Sequence, residues 1–361
     1  MKKLLAALLP LLILIGCAAP VEPDAAPPAH AGPETVSPVY TDWSKLTPYE
    51  PPAAVHTLHA GYHADGAFAP RDDYGALLPY IGRYSTMERY VIDCLPLFGL
   101  VTNKGELVSD PVYMGVRFLG DFLLLYRETS GGMSSCTLAA ADGRWARELG
   151  DSRYVRSGCG LLMTVTSGGD LDVWNTGGEA VAHFDSALFT SRFGEGLNWG
   201  DEGGPFVDWA DDRVGYGVTY LIDGELQEDG VPFYLDFSNG AVTDVPPRGY
   251  GAEMDYSAIA DDRPEPPTVE GCMYLEPMTD EVMGETYFYG YYREGGDDDG
   301  RYILFDGEGR RLIENCNLMR FDQSPIVRAG LCSTVEDGCF CFRSLTGGAL
   351  VFRYPMRTNS D

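Results

Sequence analysis

The chain has 361 residues, with 54 Asp and Glu against 26 Lys and Arg and a formal net charge of −28. A surface this acidic repels phosphates, which excludes nucleic acid as a partner. Hydrophobic residues at 45% and aromatic residues at 12% leave ample material for a core, enough for one large all-β domain or two ordinary ones.

Residues 1–16, MKKLLAALLPLLILIG, read as an export signal. Lys2 and Lys3 form the positive start, and Leu4 to Ile15 form an apolar run too short to cross a membrane comfortably. The run ends in Leu14-Ile15-Gly16-Cys17, which resembles a bacterial lipobox. That resemblance implies cleavage before Cys17 and acylation of its thiol. The mature protein is then expected outside the cytoplasm, held to the membrane by its lipid anchor. Without Lys2 and Lys3 its charge becomes −30. Residues 17–54 are rich in Pro, Ala and acidic residues, including Pro20, Pro23, Pro27, Pro28 and Pro33. Proline blocks both helix and central strand, so a disordered tether is expected there and the folded part over 55–361.

His56, His59 and His63 open the folded part. On a helix they would share a face suited to a metal, but Gly61 and Pro51-Pro52 oppose a helix there. As a strand they do not share a face, so no metal is expected. Eight cysteines remain beyond Cys17: Cys94, Cys136, Cys159, Cys272, Cys316, Cys332, Cys339 and Cys341. The even count permits disulfides in an exported protein without fixing their pairing. Cys339 and Cys341 point to one strand face, and a cross-strand bond from Cys332 to either is one option.

The stretch Phe98–Arg127 sets the pattern for the rest of the chain. Two short strands flank a turn at Asn103-Lys104-Gly105, then a second hairpin ends in Phe122, Leu124 and Tyr126. Leu77–Tyr80 and Tyr90–Leu95 are expected to be earlier strands. Later hairpins turn at Asp142-Gly143, Asn175–Gly178, Asp223-Gly224, Ser238–Gly240, Asp306–Gly309 and Thr346–Gly348. The turn glycines Gly105, Gly143, Gly178, Gly240, Gly309 and Gly348 are spaced by 38, 35, 62, 69 and 39 residues. Intervals near 40 match one small antiparallel sheet per repeat, as in a propeller blade. No run keeps a helical period. The expected fold is all-β, a propeller-like repeat domain of about six or seven small antiparallel sheets.

Phe98-Gly99-Leu100-Val101, Gly105-Glu106-Leu107-Val108 and Pro111-Val112-Tyr113 together resemble the WG-repeat unit of bacterial surface and exported proteins. Phe193-Gly194-Glu195-Gly196-Leu197 resembles the Phe-x-Glu-Gly-Leu part of the same unit. Phe98 stands where the unit carries tryptophan, and no later unit keeps the Pro-x-Tyr step at the same distance. The resemblance implies a β-repeat domain with a binding or scaffolding role and no catalytic or cofactor-holding residues.

A glycosidase would need paired carboxylates roughly 5 to 9.5 Å apart. Glu195, Asp201, Glu202, Asp208 and Asp211 lie among Trp199, Phe206 and Trp209, where aromatic planes beside carboxylates suit a sugar. Glu195, Trp199, Asp201, Asp208 and Trp209 are therefore the candidate ligand contacts. Gly-x-Ser-x-Gly, His-Glu-x-x-His and P-loop motifs are absent. Asp297, Asp298 and Asp299 are adjacent rather than alternating, so a calcium loop is not expected. The expected function is non-catalytic binding or scaffolding at the cell envelope with a protein or glycan ligand. The alternative is a carbohydrate-active propeller or a glycan-capture protein.

Overall fold

The computed structural model describes residues 56–57, 66–85, 95–128, 134–195, 197, 199, 204–245, 247, 264–292, 301–316 and 325–356. The proposed signal and tether, Cys17, His59, His63, Cys94, Asp201, Glu202 and Asp297–Asp299 lie outside the described residues. The described residues form twenty-four strands and one helix, with the strands in six sheets in chain order. Strand β1 (His56–Thr57) joins the last sheet. Blade 1 holds β2 (Leu77–Ser85), β3 (Leu95–Thr102) and β4 (Leu107–Tyr113). Blade 2 holds β5 (Gly115–Leu119), β6 (Phe122–Glu128), β7 (Ser134–Ala140) and β8 (Ala146–Gly150). Blade 3 holds β9 (Ser152–Gly158), β10 (Leu161–Thr166), β11 (Leu171–Asn175) and β12 (Ala180–Phe184), and the helix α1 (Ser186–Phe193) comes next. Blade 4 holds β13 (Phe206–Trp209), β14 (Val214–Ile222), β15 (Glu225–Asp236) and β16 (Ala241–Thr243). Blade 5 holds β17 (Cys272–Asp280), β18 (Glu285–Tyr292), β19 (Arg301–Phe305) and β20 (Arg311–Glu314). Blade 6 holds β21 (Val327–Arg328), β22 (Leu331–Glu336), β23 (Cys339–Ser344) and β24 (Leu350–Pro355), with β1 added parallel to β24.

Every one of the six turn glycines closes the last hairpin of a different blade, with φ from 68° at Gly240 to 85° at Gly105. At Gly105 the geometry is set by the residue three positions earlier. The Gly105 N–H donates to the Thr102 carbonyl at 2.9 Å, while Thr102 Oγ1 accepts the N–H groups of Lys104 and Glu106. Asn175 and Asp306 do the same for Gly178 and Gly309 with their side-chain oxygens. The repeated signal is thus a Thr, Asn or Asp whose side chain mimics a backbone turn, followed by a glycine that alone takes positive φ without strain. The extra turn at Asp223-Gly224 lies inside blade 4, between β14 and β15. Blade 4 therefore accounts for part of one long interval.

The sheets seal against each other through alternating side chains. Tyr74, Leu77, Leu100 and Tyr113 of blade 1 and its entry meet Leu123, Leu125 and Ala139 of blade 2. Phe122, Leu124, Cys136 and Leu138 of blade 2 meet Leu162 and Trp174 of blade 3. Met163, Val173 and Phe184 of blade 3 meet Val207, Phe233, Leu235 and Phe237 around blade 4. Tyr289, Leu304 and Ile313 of blade 5 meet Val327 and Cys332 of blade 6. Finally Leu78, Tyr80, Ile81 and Val101 of blade 1 meet Phe340, Phe342, Phe352 and Tyr354 of blade 6, so the last sheet packs on the first. Blades 5, 6, 1, 2, 3 and 4 thus form a continuous packed series, which is the stacking expected of hairpins that cannot bury an apolar face alone. This is a β-propeller-like domain of six sheets.

Three expectations need correction. The described residues contain one helix, α1: Asp185 caps it by accepting the Ala187 N–H at 2.8 Å, and Phe189 and Phe193 bury one face into the blade 3–4 core. Phe193-Gly194 is consequently the end of that helix rather than a hairpin of the repeat, and Gly194 at φ 83° is its C-cap. The cross-strand bond from Cys332 to Cys339 or Cys341 also fails on register. Arg343 stands opposite Cys332, while Cys341 faces Thr334 and Cys339 faces Glu336.

Candidate functional site

The first strands of the blades carry arginines that reach across to a neighbour. Arg117 on β5 lies over the Tyr154 ring of β9, 5.0 Å from its centroid. Arg156 on β9 binds Asp208 on β13 with both arms, Nε at 3.1 Å and Nη2 at 2.8 Å. Arg328 on β21 is buried, and its guanidinium contacts three other blades. It sits 3.9 Å over the Phe118 ring of blade 2, donates to the Leu77 carbonyl of blade 1 at 3.0 Å, and pairs with Glu281 beside blade 5 at 3.3 Å. A side chain of one blade that touches three others marks their hub. Burial pushes the Arg328 pKa down, opposed by the carboxylates of Glu281 and Asp280. Planar, fork-shaped donors suit this work because they pair and stack at the same time.

Asp280 completes the hub. Its carboxylate is fully buried and accepts four backbone N–H groups: Val282 at 3.0 Å, Met283 at 3.1 Å, Ala329 at 2.8 Å and Gly330 at 2.7 Å. The last two belong to the β21–β22 turn, so one side chain of blade 5 fixes the turn of blade 6. Ala329 takes φ 54° there, a conformation held in place by that bond.

Of the sequence-predicted contact residues that are described, Trp199 and Trp209 both pack into the blade 3–4 core, and Asp208 and Glu195 are placed differently. Asp208 has both oxygens engaged by Arg156, and Oδ1 also accepts the Trp209 N–H at 2.8 Å. Trp209 wedges between blades 3 and 4: a Cβ on Gly158 would fall 2.4 Å from its ring, and the Phe237 ring meets it at a steep angle at 5.8 Å. Its indole N–H is buried without a hydrogen-bond partner among the described residues. Trp199 is only 3% exposed, stands perpendicular to the Phe189 ring at 5.2 Å, and belongs to the blade 3–4 core. Glu195 is exposed just beyond α1, and Asp201 lies outside the described residues.

Trp199 does contribute to a cleft of about 420 Å³ at the edge of blade 3. Asp151, Ser152 and Arg153 at the start of β9 form one wall. Val165, Thr166 and the turn Ser167-Gly168-Gly169 form the other, and Leu197 and Trp199 close it from the segment after α1. The turn is built like those closing the blades: Gly169 N–H donates to Thr166 O at 2.9 Å and Thr166 Oγ1 accepts from Asp170. The Ser167 N–H is tied to the Asp151 carbonyl at 3.0 Å, which joins the two walls. Val165, Leu197 and Trp199 beside hydroxyls, one carboxylate and one guanidinium can orient a small polar group or a short chain segment. Sequence reasoning found Trp199 but not Asp151–Arg153 or Ser167–Gly169. Those residues read as ordinary turn material, and only the β9–β10 register brings them together.

No family model matches the chain, and no curated protein does. Among solved structures it is similar to TolB from Acinetobacter baumannii, at 11% identity and a TM-score of 0.29 over 80% of this chain and 68% of that one. It is similar to BamB from Moraxella catarrhalis at 16% identity and a TM-score of 0.23, over 88% of this chain and 87% of that one. The β-propeller domain of the Trilobed protease from Pyrococcus furiosus gives 11% identity and a TM-score of 0.27, over 74% and 79%. The six-sheet assignment stands on the sheets themselves.

Elsewhere the titratable groups serve the fold. His183 is held protonated to higher pH by its 2.8 Å bond to Asp172, on the exposed edge of blade 3. Arg343 binds Glu336 at 2.7 and 2.6 Å, and that pairing lowers the Glu336 pKa. Among the described residues no three His, Cys, Asp or Glu side chains gather to hold a metal, and no helix is long and apolar enough to cross a membrane.

Proposed function

We propose that the chain is a non-catalytic, lipid-anchored protein of the cell envelope that binds a protein or glycan ligand through its β-propeller-like domain. The signal and Cys17 supply the anchor, residues 17–54 the spacer, and WG-repeat-like hairpins the scaffold. The observation carrying this reading is the use made of the polar groups around the predicted contact residues. A catalytic carboxylate must be free to exchange a proton or meet a sugar carbon. Asp208 has both oxygens committed to Arg156 in joining blades 3 and 4. Binding chemistry remains at the cleft beside Trp199.

A carbohydrate-processing reading draws on Asp151 and Trp199 sharing that cleft. Trp199 weakens it, because an indole with 3% exposure leaves a sugar little ring to stack on. The full chain should bind ligands on a glycan or peptide array and release no reducing sugar from the glycans it binds. Gly168→Trp should reduce that binding at least tenfold with little change in Tm. A Cβ at Gly168 meets nothing nearer than 3.6 Å, so the new ring enters the cleft and not the core. Turnover of a bound glycan would overturn the non-catalytic reading, and unchanged binding by Gly168→Trp would exclude the cleft.

A further inference from the structure

Seven cysteines are described, all of them thiols, and their placement is uneven. Cys332 is on β22, where side chains alternate between two interfaces. Leu331 packs into the core shared with blade 1, and Cys332 points the other way into the core shared with blade 5. Blade 5 shows the same division. Ile303 and Phe305 lie on one face of β19, while Leu304 faces blade 6 together with Ile313 and Cys316. Cys316 is fixed just past β20, its N–H donating to the Tyr302 carbonyl at 3.1 Å. Both thiols are fully buried, and both belong to the one core that blades 5 and 6 share. They also influence one another electrostatically, since the Cys316 thiolate is among the groups that raise the Cys332 pKa. Cys136 provides the contrast. It is equally buried, in the core shared by blades 2 and 3, and no second cysteine among the described residues belongs to that core.

We propose that Cys316 and Cys332 are joined as a disulfide in the mature protein, a covalent tie between blades 5 and 6. In forming it the two thiols lose two protons and two electrons. A disulfide oxidant, either glutathione disulfide or the disulfide of a thiol oxidase, accepts the electrons and leaves as two thiols. The exchange proceeds through a thiolate, and burial raises the Cys316 pKa to about 12 and the Cys332 pKa well above its ordinary value. In the folded protein both sulfurs are inert and out of reach. The bond therefore forms during folding, before blade 6 closes on blade 5, and resists reductant afterwards. It sits beside the Asp280 staple, so the same two blades are tied by hydrogen bonds at the β21–β22 turn and by sulfur within their core. The inference is independent of the ligand-binding reading, and refolding in a glutathione buffer tests it without assuming export.

The test is peptide mapping of the full chain, refolded with glutathione disulfide or secreted into an oxidising compartment, then alkylated in denaturant without reductant. A tryptic product joining Leu312–Arg320 to Ala329–Arg343, with fragmentation placing the link at Cys332, is the expected result. Dithiothreitol should cleave it at least a hundredfold faster in denaturant than in native buffer. Cys316→Ala should leave Cys332 open to alkylation, while Cys136→Ala should leave the link intact. Wild-type mapping decides the matter even where a core variant fails to fold. Alkylation of both Cys316 and Cys332 in either oxidised preparation, or a link from Cys332 to Cys339 or Cys341, would overturn the proposal.

Discussion

Replacing Asp280 by Ala is expected to lower stability by about 4 kcal/mol. Four backbone N–H groups lose their acceptor at once, and two of them, Ala329 and Gly330, form the turn that sets β21 against β22. Each buried amide left without a partner costs about 1–3 kcal/mol, and water entering at the cut site offsets part of the sum. Asp280→Asn separates charge from geometry. It keeps one carbonyl oxygen for the Val282, Met283 and Ala329 donors but turns an NH₂ toward the Gly330 N–H. Roughly half the loss should remain. The urea midpoint measures both, and an unchanged m-value would place the effect in the folded state. A loss below about 1 kcal/mol for Asp280→Ala would mean the carboxylate does not hold the two blades as described.

Gly99→Val should cost about 3 kcal/mol for a different reason. Gly99 stands directly opposite Tyr80 on β2, and a Cβ there would fall 2.5 Å from the Tyr80 ring. The ring cannot swing away. It is fully buried, its hydroxyl donates to the Ser109 carbonyl at 3.0 Å, and it stacks on Tyr354 of blade 6 at 4.1 Å and 16°. Gly120 gives the control. Its φ is 62°, but an added Cβ would meet nothing within 4 Å. Gly120→Ala should cost only the conformational penalty of about 1 kcal/mol. A thermal melt of the two variants compares steric with conformational need for glycine. Equal losses would contradict the packing of Tyr80 over Gly99.

The architecture was legible because one physical requirement recurs. A tight hairpin needs a residue at positive φ, so the turn glycines Gly105, Gly178 and Gly309 could be read directly from sequence, whereas the acceptor three positions earlier, at Thr102 for example, emerged only with the structure. Each marked glycine fell in a separate sheet. The helix α1 was not legible at the same level. Eight residues give a weak period, and Phe193-Gly194 imitates the start of a repeat strand although Gly194 serves as a helix cap. The candidate contacts fared unevenly because aromatic residues near carboxylates say nothing about which face is free. Trp209 and Asp208 are consumed by the blade 3–4 junction, and Trp199 gives the cleft one edge. The contacts of Arg328 and the core that holds both Cys316 and Cys332 bring together residues of different blades, and chain spacing carries no information about them.

The same placement explains how an acidic chain keeps its inner strands together. Arg117, Arg156 and Arg328 each stand on the first strand of a blade and engage a neighbouring one. Loops on a rigid sheet scaffold are where binding residues ordinarily lie. The blade 3 cleft fits that placement, between one turn and the start of a strand.

Closure of the last sheet onto the first is the claim on which the rest depends, and Tyr80 with Tyr354 measures it most directly. A double-mutant cycle combining Tyr80→Leu and Tyr354→Leu reads their interaction separately from the cost of each truncation. Stacked rings at 4.1 Å across the blade 1–blade 6 seam predict a coupling of about 1 kcal/mol. Strict additivity of the two losses would show that the first and last sheets do not meet there.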